Sequence, residues 1–213
     1  DSSASKLYCN HLKRVMGLKH AFTMSVVELN EEAINLEVQN QIKKIRFNTF
    51  RISTKRQDKN FPLTSQDINQ IIGQKVVESS SKKVNLTNPE LNIIIELVNG
   101  KAYIGHEKIK GYGGLPVGSG EKALSLISSG IDSPVASFLL LKRGVDVHYV
   151  HFNSAPATSI QSIHNVKKIL YELSKYQINC SLYNIPLLEI QEKIMKNVPD
   201  KYWIIFFRRS MYL

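Results

Sequence analysis

The sequence predicts an α/β chain in which a small α+β region is followed by a region built on a parallel sheet. In the second half, apolar runs typical of buried strands alternate with amphipathic helical patterns, which favours parallel strands flanked by helices. In the first half, two apolar runs enclose Asn99-Gly100, and this dipeptide in that context is a strong signal for a β-hairpin. A length of 213 residues leaves room for one large domain or two modest ones.

The first region covers residues 26–107 and mixes helices with strands. Asn30 is a suitable N-cap for a first helix, and Thr64 with Asp67 forms a variant capping box at the start of a second. The predicted elements are a helix over 31–44, a strand over 46–53, a helix that begins after Thr64, and a hairpin over 91–98 and 101–105. This mixture indicates a small α+β domain.

Three stretches bound the rest of the chain. Residues 1–25 are expected to be the tail of a larger preceding part. Residues 108–122 contain five glycines and a proline, which predicts a linker, and both a plain tether and a functional hinge remain open for it. Residues 123–213 show only three predicted strands before the apolar stretch near the end, so this domain is expected to be incomplete at its C-terminal side.

A strand, a loop of small residues, a helix and a second strand follow the linker and organise the second region. The first strand spans 123–127 and the second spans 145–152. Ser133 is predicted as the N-cap of the helix, with Pro134 at the first helical position. The helix is expected to end at a left-handed Gly144.

The loop between that strand and that helix reads Ser128-Ser-Gly-Ile-Asp-Ser133. Small residues let backbone N–H groups approach a ligand, and a helix N-terminus adds partial positive charge, so the pattern predicts an anion site. An ordinary strand-to-helix turn is the alternative. Neither GxxxxGK[ST] nor GxSxG occurs in the chain. The loop resembles the SGGxDS motif of adenylating ATP pyrophosphatases, with Ser129 where that family usually has glycine.

The net charge of +10 predicts a polyanionic partner, although a solvated basic surface is the alternative. Phe50 and Phe61 accompany the strongest basic cluster and are expected to belong to the core, whereas the cations are expected to contact RNA phosphates. The predicted RNA-binding residues are Arg51, Lys55, Arg56, Lys59, Lys108 and Lys110.

Other candidate residues give weaker signals. His148 and His151 are three apart on a predicted strand, so they point to opposite faces and cannot share a metal, and no metal ligands are assigned. Cys9 and Cys180 form neither a zinc motif nor a disulfide framework, which predicts a reducing, cytoplasmic location. Arg208 and Arg209 end an apolar stretch, where a buried arginine needs a phosphate or an ion pair. No apolar run is long enough to span a membrane.

These motifs together resemble the tRNA 4-thiouridine synthetases (tRNA uracil 4-sulfurtransferases) over about residues 10–213. Residues 50–65, FRISTKRQDKNFPLTS, are similar to the THUMP domain of that family. The other matching segments are the linker KIKGYGGLPVG at 108–118, the loop with DSPVA at 132–136, Lys142-Arg-Gly144, His151-Phe152, Tyr202 and RRSM at 208–211.

The resemblance implies four parts. Residues 1–25 are then the remnant of an N-terminal ferredoxin-like domain, 26–107 a THUMP RNA-binding domain, 108–122 a linker and 123–213 a Rossmann-like pyrophosphate-loop domain of the adenine nucleotide alpha-hydrolase type. The implied reaction adenylates O4 of uridine 8 in tRNA with Mg²⁺ and ATP, and a persulfide then displaces AMP to give 4-thiouridine. The family is also associated with thiamine biosynthesis.

The resemblance also implies site residues and partners. Asp132 corresponds to the catalytic aspartate, and Arg208 approaches the nucleotide. The remaining implied ATP-binding residues are Leu126, Ile127, Ser128, Ser129, Gly130, Ile131, Ser133, His151 and Phe152. The implied partners are tRNA and a sulfur donor, which is either a cysteine desulfurase-like protein or inorganic sulfide, and a homodimer is left open. Neither cysteine of the chain matches the persulfide carrier of the family.

Two alternatives remain open at this point. One is an RNA-binding THUMP protein with a degenerate nucleotide site, which the serine at position 129 favours. The other is a different RNA-modifying enzyme that uses the same adenylating loop on another carbonyl or amide.

Overall fold

The computed structural model describes residues 2–57, 59–157 and 159–212, and it divides into two compact units. The first unit is Ala21–Ile109, and the second unit is Asp1–His20 together with Lys110–Leu213. In chain order the elements are α1 (Ser2–Leu12), β1 (His20–Glu28), α2 (Glu31–Ile42), β2 (Thr49–Arg56), α3 (Ser65–Ser80), β3 (Lys83–Val84), β4 (Leu91–Val98), β5 (Lys101–Lys110), β6 (Lys122–Leu126), α4 (Asp132–Lys142), β7 (Asp146–Asn153), α5 (Gln161–Leu173), β8 (Leu182–Pro186), α6 (Leu188–Asn197) and α7 (Trp203–Ser210).

The first unit is a five-stranded mixed sheet with the strand order β1-β5-β4-β2-β3. Strand β2 alternates strictly, so Phe50 and Ile52 are buried in the core while Arg51 and Lys55 belong to the opposite face. Helices α2 and α3 cover the apolar face with side chains at helical spacing: Ile34, Val38, Ile42, Ile68, Ile72 and Val76. The other face of the sheet is thereby left for polar and basic residues.

Both helix starts predicted for the first unit are confirmed. The Asn30 side chain accepts a hydrogen bond from the Ala33 N–H at 2.7 Å. The capping box is complete, because Asp67 N–H donates to the Thr64 hydroxyl at 3.2 Å and Thr64 N–H donates to the Asp67 carboxylate at 2.8 Å. Hydrogen bonds from the side chain and the backbone of Thr64 lower the pKa of the Asp67 carboxyl.

The predicted hairpin is confirmed as β4 and β5, which pair antiparallel with Val98 opposite Lys101. Its two turn residues, Asn99 and Gly100, have φ of 51° and 71°. A two-residue turn with both φ values positive is the type that matches the twist of the flanking strands.

The second unit contains a three-stranded parallel sheet in the order β6-β7-β8, as the alternation of strands and helices predicts. Helices α4 and α5 contribute Leu141, Val166, Leu170 and Leu173 to its core. Met16 is 3% exposed and packs in the same core. The segment before residue 20 is thus part of the second unit in this structure, and its derivation from a ferredoxin-like domain stays a prediction.

The glycine-rich stretch after β5 packs against the end of α4 and does not run as a free tether. Leu115 N–H donates to the Lys142 carbonyl at 3.0 Å, and Gly118 and Gly120 each donate to the Gly144 carbonyl at 2.9 Å. A Cβ atom on Gly114, where φ is 82°, would lie 2.1 Å from the Lys142 carbonyl oxygen. Close backbone approach therefore accounts for that glycine.

Three aromatic rings fasten the same stretch to the helices. Tyr112, Phe138 and Tyr176 form edge-to-face pairs with centroid distances of 5.1–5.5 Å. Tyr112 and Tyr176 also share a hydrogen bond between their hydroxyls, which with burial raises the pKa of Tyr176 to about 12. Among the described residues, no helix is long and apolar enough to cross a membrane.

Candidate nucleotide and nucleic-acid sites

The loop of residues 127–131 lies where β6 ends and α4 begins. In sheets of parallel strands, the carboxyl ends of the strands are the usual place for ligands. Residues 128–131 of this loop and Asp132 at the start of α4 are exposed, whereas Ile127 is 3% exposed and anchors the loop in the core. The Ile127 N–H donates to the Val150 carbonyl at 2.8 Å, which extends the β6–β7 pairing by one residue.

The predicted N-cap at Ser133 is wrong, because α4 begins at Asp132 with Ile131 at the N-cap position, two residues earlier than predicted. The Ser133 hydroxyl is engaged across the loop instead, where it accepts the Ser128 N–H at 2.9 Å and lies 3.1 Å from the Ser128 hydroxyl. Pro134 consequently occupies the third helical position, still inside the first turn. No side chain caps the start of α4, so its first N–H groups have no side-chain acceptor.

The loop backbone leaves space above Gly130. The positive-φ residues of the described chain do not include Ser129 or Gly130, so neither adopts a left-handed conformation. A Cβ atom on Gly130 would meet only the Ser128 hydroxyl, at 3.5 Å. The glycine is therefore not required by the fold of the free loop, and Ser129 carries no backbone strain.

Hydrogen bonds between serine side chains link β6 to the start of α4 on the buried side of the loop. Ser137 on α4 is fully buried and donates to the Ser133 carbonyl at 2.8 Å. Its hydroxyl also lies 2.8 Å from the Ser125 hydroxyl on β6. These contacts tie the first turn of α4 to the strand that precedes the loop. Sequence reasoning missed Ser137, although a small polar residue on the inner face of an otherwise apolar helix is a visible signal.

His151 is buried beside the start of the loop. Its Nδ1 lies 2.9 Å from the Ile127 carbonyl oxygen, and its Nε2 lies 3.5 Å from the Ser162 hydroxyl. His148, in contrast, lies 3.6 Å from the Asp146 carboxylate, so the two histidines have separate surroundings, as the strand alternation predicts. The described residues hold no cluster of three or more His, Cys, Asp or Glu side chains suited to a metal.

The expected burial of Arg208 and Arg209 is wrong. Both side chains are exposed on α7, and no residue of α6 or α7 is buried within the described chain. An exposed guanidinium is hydrated and needs no anion, so the physical reason offered for a phosphate contact does not apply. The structure does bring together 126–133 with His151 and Phe152, through the pairing of β6 with β7.

The open face of the first unit forms a groove of about 580 Å³ that contains three of the six predicted RNA-binding residues, Arg51, Lys55 and Lys108. Arg51 is held in place, because its guanidinium donates to the Leu86 carbonyl at 2.9 Å. Lys55 is 75% exposed and lies 3.8 Å from the Glu96 carboxylate. The groove thus presents two exposed ammonium groups and one guanidinium held by a backbone carbonyl.

The other predicted cations lie elsewhere. Arg56 donates to the carbonyls of Phe61 and Leu63 at 2.9 and 2.6 Å, so its guanidinium fixes the loop that precedes α3. Lys59 in that loop and Lys110 at the end of β5 are exposed. Phe50 is fully buried and Phe61 packs against the core, which confirms the expectation that both phenylalanines are structural.

These features define a class: an α+β domain with a basic groove, followed by a parallel-sheet domain of Rossmann-like type with an exposed loop of small residues at the carboxyl end of its first strand. Family models match the chain in both parts. The THUMP domain model matches residues 25–107, and the model for thiamine biosynthesis protein (ThiI) matches residues 118–213.

Relatives agree with that division. Proteins named probable tRNA sulfurtransferase from Streptococcus pneumoniae and Streptococcus uberis are 38% identical over 203 residues. The alignment covers 94% of this chain and 50% of each relative, so the chain spans about half the length of the curated relatives it matches.

Solved structures are similar too. A crystal structure of a 4-thiouridine synthetase–RNA complex with bound ATP superposes with a TM-score of 0.84, at 31% identity over 95% of this chain and 54% of that one. PH1313 from Pyrococcus horikoshii gives a TM-score of 0.72 at 26% identity, covering 96% of this chain and 81% of that one. The resemblance seen in the sequence is thereby confirmed: the THUMP domain model and the ThiI model match successive parts of the chain, and the similar curated proteins are named probable tRNA sulfurtransferase.

Proposed function

We propose that the protein takes part in the ATP-dependent thiolation of uridine 8 in tRNA to 4-thiouridine. The observation that carries the proposal is the open anion loop of the second unit, in a chain whose first unit has a THUMP domain with a basic groove. The related 4-thiouridine synthetase was crystallised with RNA and ATP, which supports both ligands for this chain.

The loop is suited to the pyrophosphate part of ATP. Ser129 and Gly130 are exposed, and the N–H of Ser129 and the uncapped start of α4 can donate to phosphate oxygens, while the Gly130 N–H donates to the Ser128 hydroxyl at 3.3 Å. The Ser128 and Ser133 hydroxyls lie 3.1 Å apart; one of them donates in this pair, so the other is left as a pre-organised further donor. Ile131 follows at the N-cap position and is 83% exposed.

The adenine ring is proposed to lie against the backbone of Leu126, Ile127, His151 and Phe152. Leu126 is 38% exposed, so a planar apolar ring can cover it. His151 fixes the Ile127 carbonyl at 2.9 Å, which sets the edge of this surface. Arg208 stays a proposed nucleotide contact by resemblance alone.

Asp132 is the proposed catalytic carboxylate and fits a role beside Mg²⁺. It is exposed at the first position of α4, and a lone carboxylate with ATP phosphates and water is a usual Mg²⁺ environment. When bound, Mg²⁺ supplies charge neutralisation of the phosphates. The carboxylate itself cannot bind phosphate directly, so its position beside the loop favours work through a cation.

The proposed chemistry begins with two displacements. The uracil O4 bonds to the α-phosphorus of ATP and pyrophosphate leaves; a persulfide sulfur then bonds to C4 and AMP leaves. A second thiol of the sulfur donor then attacks the carrier sulfur, so that the S–S bond to the base breaks, a new disulfide forms on the donor and 4-thiouridine is released. With sulfide as the donor, HS⁻ displaces AMP directly and the two displacements suffice. Burial raises the pKa of the Cys180 thiol, which disfavours the thiolate that sulfur transfer needs. The proposed sulfur donor is a cysteine desulfurase-like protein or inorganic sulfide. The proposal also includes a cytosolic location and a homodimer.

The tRNA is proposed to contact the groove of the first unit through Arg51, Lys55 and Lys108, with Lys59 and Lys110 nearby in sequence. Arg56 contributes by holding the loop that carries Lys59. Exposed lysines attract phosphates without reading sequence, so this groove supplies affinity more than specificity.

The test is Asp132→Asn in the whole protein, which keeps the shape of the side chain and removes its charge. AMP formation on a tRNA transcript should fall at least about a hundredfold, while tRNA affinity should stay within about threefold, because the groove belongs to the other unit. Glu192→Gln, which removes an equal charge from an exposed side chain of α6 in the same unit, is the control for general damage. Undiminished AMP formation in Asp132→Asn would refute the catalytic role, and absence of ATP binding in the unaltered protein would favour the degenerate-site alternative.

A further inference from the structure

The basic charge of the chain is concentrated in the second unit. That unit has 16 Lys and Arg residues against 8 Asp and Glu residues, whereas the first unit has 12 against 10. The net charges are therefore +8 for the second unit and +2 for the first, which together make the +10 of the chain. The unit that carries the groove is thus the less basic of the two.

Helix α5 presents part of this charge on one exposed face together with an aromatic ring. Lys168 and Tyr171 are three residues apart on α5 and so share a face of the helix, and Lys175 lies in the turn that follows the helix. Tyr171 is 68% exposed, and the Lys175 ammonium lies 4.9 Å from its ring centroid. Lys175 is also paired with Glu172, and its side chain is 25% exposed.

A cleft of about 680 Å³ adjoins the end of this face. Arg14 and Lys175 lie at its wall, and Asp146 and Gln177 line it from the start of β7 and the turn before β8. No salt bridge of the described residues involves Arg14 or Lys168. The cleft opens beside the amino end of β7, at the edge of the sheet opposite to the nucleotide loop.

We infer that Arg14, Lys168, Tyr171 and Lys175 form a second RNA-binding surface, which we call the α5 surface, on the unit that carries the nucleotide loop. This inference rests on the proposed function, because RNA is the partner in both. Cations spaced around an exposed aromatic ring suit a sugar–phosphate backbone with one unpaired base stacked on the tyrosine. The positive charge of the unit favours a polyanion over an apolar or a cationic partner, and RNA is the polyanion that the proposed function supplies.

The test compares two triple variants of the whole protein that remove the same charge. In the first, Arg14, Lys168 and Lys175 are changed to Ala; in the control, the exposed Lys43, Lys44 and Lys101 of the first unit are changed to Ala. Affinity for a tRNA transcript is measured across a range of salt concentrations. The α5-surface variant should flatten the slope of log affinity against log salt by about two units, and the control should change it by less than about half a unit.

Tyr171 gives a second readout that does not depend on charge. Tyr171→Ala should weaken transcript binding by about fivefold or more at fixed salt, and Tyr171→Phe should restore it, because either ring can stack on a base. Equal slopes for the two triple variants, or equal affinities for Tyr171→Ala and the unaltered protein, would overturn the α5 surface while leaving the proposed function intact. Failure of the unaltered protein to bind the transcript at all would overturn both.

Discussion

Gly130 offers a sharp separation between the needs of the fold and the needs of a ligand. A methyl group there would meet only the Ser128 hydroxyl at 3.5 Å, and φ is not in the left-handed region. Gly130→Ala should therefore leave stability unchanged or raise it by up to about 1 kcal/mol, through the lower entropy of the unfolded chain. For a unit of this size that is at most about 2–4 °C in melting temperature.

The same methyl group occupies the space through which a phosphate would approach the loop. Losing one charge-assisted hydrogen bond costs about 1.5–3 kcal/mol, so ATP affinity should fall roughly 10- to 150-fold. Calorimetry gives the ATP affinity, and thermal unfolding gives the stability of the same preparation.

Gly118→Ala is the matched control. Gly118 lies in the same unit with open space around it, but its φ is 85°, so alanine there should cost about 1–2 kcal/mol of stability and leave ATP affinity unchanged. Gly130→Ala should thus lower ATP affinity without lowering stability, whereas Gly118→Ala should lower stability without lowering ATP affinity. If Gly130→Ala binds ATP as tightly as the unaltered protein, the loop is not the phosphate site and the reasoning fails.

Three further predictions concern backbone and capping. Gly114→Ala should destabilise the protein by about 3 kcal/mol or more in urea unfolding, because its Cβ would lie 2.1 Å from the Lys142 carbonyl oxygen. Gly113→Ala, which has open space at a φ of 65°, should cost only about 1–2 kcal/mol, and equal costs for the two variants would contradict the close approach at Gly114. The pKa of the Asp67 carboxyl is lowered, so its contribution to stability is present above its unfolded pKa of about 4 and is lost as pH falls through the folded value. Thr64→Ala should reduce this loss of stability in melting curves recorded from about pH 7 to about pH 2. An unchanged pH profile would show that the capping box is not the cause of the lowered pKa. Ser129→Gly should keep activity, change ATP affinity by no more than about tenfold and leave the melting temperature no higher, whereas tighter ATP binding with a higher melting point would identify Ser129 as a strained replacement.

Local chemistry explains why much of the fold was predictable from the sequence. The capping box at Thr64, the Asn99-Gly100 turn and the left-handed Gly144 depend on a few neighbouring residues, and all three are found as predicted. The alternation of β2 also separates buried Phe50 from the basic face without knowledge of distant contacts.

The errors arise where a side chain had more than one possible partner. Ser133 suits an N-cap by local rules, but the Ser128 N–H across the loop is the partner that the fold supplies. The burial of Arg208 was inferred from apolar neighbours, and those neighbours are themselves exposed on α7. Met16 packs in a core whose other buried residues begin at Ile127, and no local sequence pattern encodes a contact between segments so far apart in the chain.

The central claim is that this protein adenylates uridine 8 of tRNA, and one measurement tests it directly. The whole protein is incubated with ATP, a sulfur donor and either an unaltered tRNA transcript or a transcript with cytidine in place of uridine 8. AMP is then quantified, and the tRNA nucleosides are analysed by mass spectrometry. The predicted result is AMP and 4-thiouridine from the unaltered transcript and neither above background from the altered one. Equal AMP formation on both transcripts, or AMP without 4-thiouridine, would contradict the assignment of uridine 8 as the group that is activated.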